Sequence, residues 1–272
     1  GRAARDIELL EELHSENRFN CDLYREKADR RLGITRLRLF QNDRLLLSDI
    51  LPILDNFGLI VIDQFPTEVH VTGRPISVIA TFRLGGVQNM SLDLLSRRNR
   101  LTAALRAALT GAMDNDPMNR LLLRADIPWT YVVLIRSFQA YARQLGSPYG
   151  SQMVRDTLER HADIVRGLTE IFRTKFDPNI EGLDPKNVCE KRQSLLERSK
   201  RTLLTLLESV SNLTNDQILR MFLNLIDSTL RTNFYSRAPL INHEIVLKFD
   251  PSQIQRIPEP RPYREIYVHH PL

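Results

Sequence analysis

The stretch "LLLSDILPILDNFGLIVIDQF", Leu45–Phe65, carries a helix signal followed at once by a strand signal. Ser48 is a typical helix N-cap, and Asp49 lies in the first turn, where the helix dipole stabilises a carboxylate. Gly58 supplies the left-handed residue at which many helices end. The apolar run from Leu59 onward is typical of a strand. The stretch therefore predicts a helix that leads directly into a strand, as in α+β folds.

Strand patterns lie on both sides of this helix. Before it, "ITRLRLFQ", residues 34–41, alternates apolar and polar side chains with one irregular step. After it, "EVHVTG" and "ISVIATFRLGG" are two more strand patterns, with Gly73 and Pro75 in the turn between them. The segment from Ser91 returns to helical spacing. Strand, helix, two or three strands and helix predict a ferredoxin-like βαββα module over residues 34–113.

Residues 1–33 are predicted to form an N-terminal helix and a linker before this module. The helix is indicated by Ile7, Leu10 and Leu13, which recur at helical spacing beneath acidic neighbours.

After residue 113 the pattern becomes helical, and we expect a mostly α-helical scaffold domain over 114–236. In "IPWTYVVLIRSFQAYARQLG", Pro128 lies in the first turn and Gly146 at the stop. One face of this helix is apolar throughout and predicts helix packing. Its members are Ile127, Tyr131, Leu134, Phe138, Tyr141 and Leu145.

Later helices are predicted from the same period and from their caps. Thr214 and Gln217 form a capping box for "NDQILRMFLNLIDSTLRTNF". The other helices are expected over 153–160, 163–176 and 185–210.

Residues 237–272 are predicted to be a β segment. "HEIVLKFDP" and "YREIYVHHPL" have strand character and are separated by a proline-rich run. We expect residues 263–272 either to dock as an edge strand beside 243–250 or to be mobile.

Composition limits the classes of protein that fit. No apolar run approaches a membrane span, and the N-terminus has acidic residues where a signal peptide needs its apolar core. Cys21 and Cys189 are the two cysteines, far apart, so we expect no disulfide framework and no zinc site, and a cytoplasmic location. The net charge of +5 comes from arginines interleaved with acidic residues, which favours a solvated basic surface over a nucleic-acid site.

Motifs for chemistry are missing from the sequence. It contains no GxGxxG, GxxxxGK[ST], GxSxG or HExxH. His269 and His270 are adjacent strand residues that point to opposite faces, so a metal site is not favoured. "RRNR", residues 97–100, would spread around a helix, which favours a solvated surface over a phosphate contact, and Trp129 is expected to pack. We therefore expect no catalytic, cofactor-binding or metal-binding residue in this chain.

Three segments resemble a known family. "LSDILPILDNFGLIVIDQFP", "NRLLLRADIPWTYVVLIRSFQAYARQLG", and "ILRMFLNLIDSTLRTNFY" through "LKFDPSQIQRIPEPRPYREIYVHHP" are similar to the large-subunit class of bacterial NAD-specific glutamate dehydrogenase. Their order and spacing agree from about Ile34 onward. In that family such a region precedes the catalytic domain, which holds the substrate lysines and the NAD site.

The resemblance implies an ACT-like regulatory module over 34–113. ACT modules bind amino acids between the first strand and the first helix, here Gln41, Asn42, Asp43 and Arg44, which are also typical of a plain loop. "ISVIATFRLGG" differs from the tryptophan-containing strand of many relatives, so effector contacts made there are not carried over.

The leading hypothesis is a non-catalytic regulatory and structural segment of a cytoplasmic NAD-dependent glutamate dehydrogenase, inactive alone. Its partners would be the catalytic domain of the same polypeptide, further subunits in a homo-oligomer and an amino-acid effector. NAD would serve only the parent enzyme. Two alternatives stay open: a basic helical adaptor that binds nucleic acid, and an amino-acid sensor.

Overall fold

The computed structural model describes residues 2–15, 19–42, 46–180, 188–236, 244–255 and 257–271. These residues form two compact units, which divide between Trp129 and Thr130.

The first unit is an α+β module built on a four-stranded sheet. Every neighbouring pair of strands is antiparallel, and their order across the sheet is β1-β2-β4-β3. Its elements are α1 (Arg2–Ser15), β1 (Phe19–Tyr24), β2 (Thr35–Gln41), α2 (Leu47–Asn56), β3 (Leu59–Val69), β4 (Ser77–Val87), α3 (Arg98–Leu109) and α4 (Leu121–Arg124).

This order is that of a ferredoxin-like sheet whose last strand has moved to the front of the chain. The predicted βαββα unit is present as β2, α2, β3, β4 and α3. The strand that would complete it after α3 is β1, which precedes β2 and pairs with it at the sheet edge. Residues 19–24 thus form a buried strand where the sequence predicted a linker.

Helices cover the two faces of this sheet unequally. On one face, Leu9 and Leu13 of α1 pack against Phe40 and Ile79. On the other face, Cys21 donates a hydrogen bond to the Thr102 carbonyl of α3, with Sγ and O 3.4 Å apart. Because successive strand residues alternate between faces, Leu39 and Phe40 are both buried, which explains the irregular step in the β2 pattern.

Two local expectations in this unit are wrong. Ile7 is 56% exposed and does not belong to the buried face of α1, whereas Leu13 is buried and Leu10 packs partly buried beside it, as predicted. The buried face also carries Leu9, which was not predicted. Ser48 is not the N-cap, since the N-cap is Leu46 and α2 begins at Leu47, two residues earlier than predicted. The stop at Gly58 is confirmed by its φ of 75°.

The hairpin formed by β3 and β4 also differs from the expected pattern. "EVHVTG" does not form a strand of its own, because β3 continues without a break to Val69. The turn at Gly73 is confirmed by its φ of 78°.

The second unit packs helices against a small antiparallel sheet of order β5-β6-β7. Phe249 of β6 stacks on Tyr141 of α5, with ring centroids 4.3 Å apart. Tyr141 in turn donates a hydrogen bond of 2.8 Å to Glu265 of β7. The elements are α5 (Trp129–Gln144), α6 (Ser151–Arg160), α7 (Ala162–Phe176), α8 (Val188–Glu208), α9 (Leu213–Ser228), β5 (Thr229–Thr232), β6 (Ile245–Phe249) and β7 (Glu265–His269).

The last helix is shorter than its sequence pattern indicates. It ends at Ser228, and Thr229–Thr232 turns into β5, where threonine side chains suit a strand. Its N-cap is Asn212, whose Oδ1 accepts a bond of 3.0 Å from the Asn215 amide, so the capping box at Thr214 is wrong. The docked alternative for the C-terminal segment is confirmed, because β7 pairs with β6 from Ile245–His269 to Phe249–Glu265.

The packing of α1 can be tested with two truncations on one helix. Leu13→Ala should lower the free energy of unfolding by about 2–4 kcal/mol, because it leaves a cavity against Phe40. Ile7→Ala is the matched control and should change it by less than about 0.5 kcal/mol, since Ile7 is exposed. Urea denaturation gives both values, and hydrogen exchange of β1 and β2 assigns the loss to the first unit. Equal effects of the two variants would contradict this placement of α1.

The two cysteines should differ sharply in reactivity. Burial raises the pKa of Cys21 to about 12, so almost no thiolate forms near neutral pH, whereas Cys189 is exposed. Iodoacetamide at about pH 8 should label Cys189 and leave Cys21 unmodified until the protein is unfolded. Mass spectrometry of peptides from the native chain and a Cys189→Ala variant reads the outcome, and rapid native labelling of Cys21 would contradict the burial of β1.

Candidate functional site

Helix α1 makes apolar contacts with one face of the first sheet. Beyond these contacts, the same face is lined by charged residues. Tyr24, Arg36, Arg83 and Asp63 form one row across the four strands, as cross-strand neighbours. Phe65 lies close to this row, with the Arg83 guanidinium carbon 5.6 Å from its ring centroid. The face therefore offers an aromatic side chain among half-exposed charges.

Each charge in that row is held by an opposite charge. Arg36 donates a hydrogen bond of 2.7 Å to Asp29 and forms an ion pair of 3.0 Å with Glu26. Arg83 donates from Nε to Asp63 over 2.7 Å. These hydrogen bonds lower the pKa values of Asp29 and Asp63, so both carboxylates stay ionised near neutral pH. Such an arrangement fixes side chains and does not poise a group for proton transfer.

Helix α1 is anchored beside this row by a second set of ion pairs. Arg38 donates to Asp6 of α1, and the guanidinium of Arg2 lies over the Tyr24 ring. The buried carboxylate of Asp22 contacts Arg2 over 3.5 Å and also accepts a bond from Arg98 of α3. The edge strand β1 is thus linked to helices from both sides of the sheet.

The predicted effector residues are only partly described. Gln41 is the last residue of β2 and pairs with Phe19 and Val78. Asn42 follows it and accepts a hydrogen bond of 3.3 Å from the Ser77 hydroxyl. Asp43 and Arg44 lie outside the described residues, so the structure brings together two of the four.

The arginines of "RRNR" are placed around the start of α3. Arg97 and Arg100 both contact Asp126, the former over 2.8 Å, and Arg98 contacts Asp22. Two carboxylates, Asp126 and Asp22, thus pair with the three arginines of this segment. The geometry is that of paired charges.

His269, His270 and His161 have different surroundings. His269 is buried on the inner side of β7, whereas His270 is exposed and lies 3.9 Å from Glu244. His161 contacts Asn215 over 3.4 Å, and burial lowers the pKa of its ring. Within the described ranges, no group of three or more histidine, cysteine, aspartate or glutamate side chains is arranged to hold a metal ion.

A cavity of about 230 Å³ in the second unit was not predicted from the sequence. It lies at the end of α5, beside α9 and the segment after β6. Its floor is apolar and its rim carries Tyr149, Gln217 and Arg220. The three segments that line the cavity are far apart in the sequence. The one sequence signal of the site is the helical wheel of α9, which places 217 and 220 on one side.

Among the helices of the described residues, none is both long enough and apolar enough to cross a membrane.

Comparison with known proteins gives three family matches that follow one another along the chain. Residues 18–96 match "Glutamate dehydrogenase, ACT3 domain", and 113–178 match "Glutamate dehydrogenase, helical motif 3". Residues 202–272 match "Bacterial NAD-glutamate dehydrogenase, catalytic domain". The first match includes β1, and the last begins well before the boundary that the sequence analysis drew at 237.

Individual relatives carry the same name. The chain is 33% identical to the NAD-specific glutamate dehydrogenase of Halomonas elongata over 98% of its length, and 34% identical to that of Pseudomonas aeruginosa over 84%. The corresponding protein of Mycobacterium tuberculosis is 28% identical over 88%. The chain spans only 14–16% of the length of these relatives. Over this part of their length, the chain belongs to the family of bacterial NAD-specific glutamate dehydrogenases.

Proposed function

We propose that this chain is a regulatory and structural part of a NAD-dependent glutamate dehydrogenase and does not itself transfer the hydride. The parent enzyme would oxidise glutamate to 2-oxoglutarate and ammonia with NAD as acceptor. In this proposal the chain holds no cofactor of its own. Its main partner is the catalytic domain of the same cytoplasmic polypeptide, within a homo-oligomer.

The observation that carries the proposal is the direction of the strands. In both described sheets every pairing is antiparallel. A dinucleotide fold instead places the pyrophosphate at the carboxyl ends of parallel strands, where a glycine-rich turn opens a helix. Neither described sheet offers that geometry, and the sequence contains no such turn.

The match of residues 202–272 to a catalytic-domain model fits this proposal in a specific way. We infer that the end of α8, α9 and β5–β7 belong structurally to the catalytic part, while the reacting residues lie elsewhere in the parent enzyme.

Lys175, which precedes the match, is a lysine with an altered pKa that nevertheless has a structural role. Burial lowers its pKa to about 8, but its Nζ donates to the carbonyls of Ile226 and Asp227 at the end of α9. It therefore stabilises a helix terminus.

A second role, recognition of an amino-acid effector, rests on the start of α2. Its N-cap residue, Leu46, has no side chain that can accept from the first-turn amides. Asn42 and Gln41 lie at the end of β2, which precedes this helix. A carboxylate bound at such a terminus is stabilised by the helix dipole.

The first role predicts that the purified 272-residue chain lacks dehydrogenase activity. We expect no glutamate-dependent NADH formation and no heat of binding with NAD up to about 5 mM. Circular dichroism should show a folded chain in the same buffer, and the full-length Pseudomonas aeruginosa relative serves as the positive control. Turnover by the isolated chain above the buffer blank would refute the proposal.

The second role predicts a thermal shift with amino acids. A ligand at about ten times its Kd should raise Tm by roughly 3–6 °C, because it binds only the native state. Asn42→Ala should abolish the shift. Asn56→Ala is the matched control, since it removes an exposed asparagine bond to Asn115 in the same unit. If no amino acid shifts Tm at millimolar concentration, the sensing role fails and the structural role stands alone.

A further inference from the structure

The cavity in the second unit combines an apolar floor with a polar rim. Leu145, Met221 and Leu225 contribute to the floor, and Tyr149, Gln217 and Arg220 to the rim. Its volume of about 230 Å³ exceeds a benzene-sized cavity of ~150 Å³ and falls below the range of drug-sized pockets. The space suits a compact molecule of roughly ten non-hydrogen atoms.

Arg220 is oriented by a neighbour that leaves most of its donors available. Its Nε donates to both carboxylate oxygens of Asp216, over 2.8 and 2.9 Å. Among the described residues, no hydrogen-bond acceptor is in place for its two terminal nitrogens. A guanidinium presents these donors in a plane that fits a carboxylate. The side chain is 45% exposed, so a ligand can reach it from solvent.

Gln217 adds a second donor to the same rim. Its Oε1 accepts a hydrogen bond of 2.8 Å from the Tyr149 hydroxyl, which fixes the orientation of the amide. The amide nitrogen makes no hydrogen bond to the described residues. Since Gln217 and Arg220 are three residues apart on α9, their side chains lie on one side of the helix. The rim is therefore rich in donors, and donors select a ligand group that accepts.

We propose that this cavity binds a small monocarboxylic acid with an apolar body. The carboxylate contacts Arg220 and Gln217, and the aliphatic or aromatic body packs on Leu145, Met221 and Leu225. This site is separate from the effector position at the end of β2 and does not depend on the proposed function, because its test reads binding and not activity.

The test uses the full 272-residue chain with 4-methylpentanoate and 3-phenylpropanoate as probes. Saturation-transfer NMR and calorimetry should detect both acids, with millimolar or tighter Kd. The matching primary amides, 4-methylpentanamide and 3-phenylpropanamide, keep the apolar body and lose the charge. They should bind at least tenfold more weakly, as should glutarate, whose second carboxylate would be buried on the apolar floor.

Two arginine variants separate the site from general electrostatics. Arg220→Gln should weaken binding of both acids by tenfold or more. Arg173→Gln is the matched control, because Arg173 also forms an exposed helical ion pair, with Glu170, and does not line the cavity. Its Kd should stay within about twofold of the unaltered chain.

A third variant tests the floor. Leu145→Trp places a larger side chain in the space and should abolish binding of both acids, while the circular dichroism spectrum reports whether the chain remains folded. The proposal is overturned if neither acid binds up to about 10 mM, if the amides bind as well as the acids, or if the two arginine variants weaken binding equally.

Discussion

The pairing of β1 with β2 is the interaction on which the first unit depends. It completes the four-stranded sheet and places two polar residues, Asn20 and Asp22, in nearly full burial at the edge. Asn20 donates to Glu12 of α1 over 2.8 Å and accepts from Arg106 of α3 over 2.5 Å. Since a buried polar group without partners costs roughly 1–3 kcal/mol, these bonds position both helices as well as the strand.

The sheet in turn determines what the charged face can do. Cross-strand neighbours such as Arg36 and Arg83 carry like charges, which would repel if they stood alone. Asp29, in the connection between β1 and β2, offsets the charge of Arg36, and Asp63 of β3 offsets that of Arg83. The charged face is therefore a set of ion pairs in defined positions. It is suited to contact another polar surface in a fixed alignment. Binding of a substrate would need donors that remain available, as the terminal nitrogens of Arg220 do among the described residues of the second unit, although its Nε pairs with Asp216.

Sequence reasoning succeeded where the signal was local. The βαββα order, the stop at Gly58 and the pairing of β6 with β7 follow from periodicity, glycine conformation and strand patterns. β1 was missed although "FNCDLY" alternates apolar Phe19, Cys21 and Leu23 with polar Asn20 and Asp22, a pattern that would predict a strand with a solvent-exposed polar face, whereas all six residues are buried. Its polar residues are compatible with burial only through partners in α1 and α3, which the sequence does not reveal. The cavity was missed for the same reason, because its wall comes from α5, α9 and the segment after β6.

The position of β1 ahead of β2 has a consequence for how the chain reaches this fold. Tyr24 and Arg36 pair across a separation of about a dozen residues, because a short connection joins the two strands. In the unpermuted order the same edge strand would follow α3, and its pairing with β2 would close a loop more than five times as long, by rough estimate. Moving the strand lowers the contact order of the sheet, so its edge can form early, by a local search, before α3 has emerged from the ribosome.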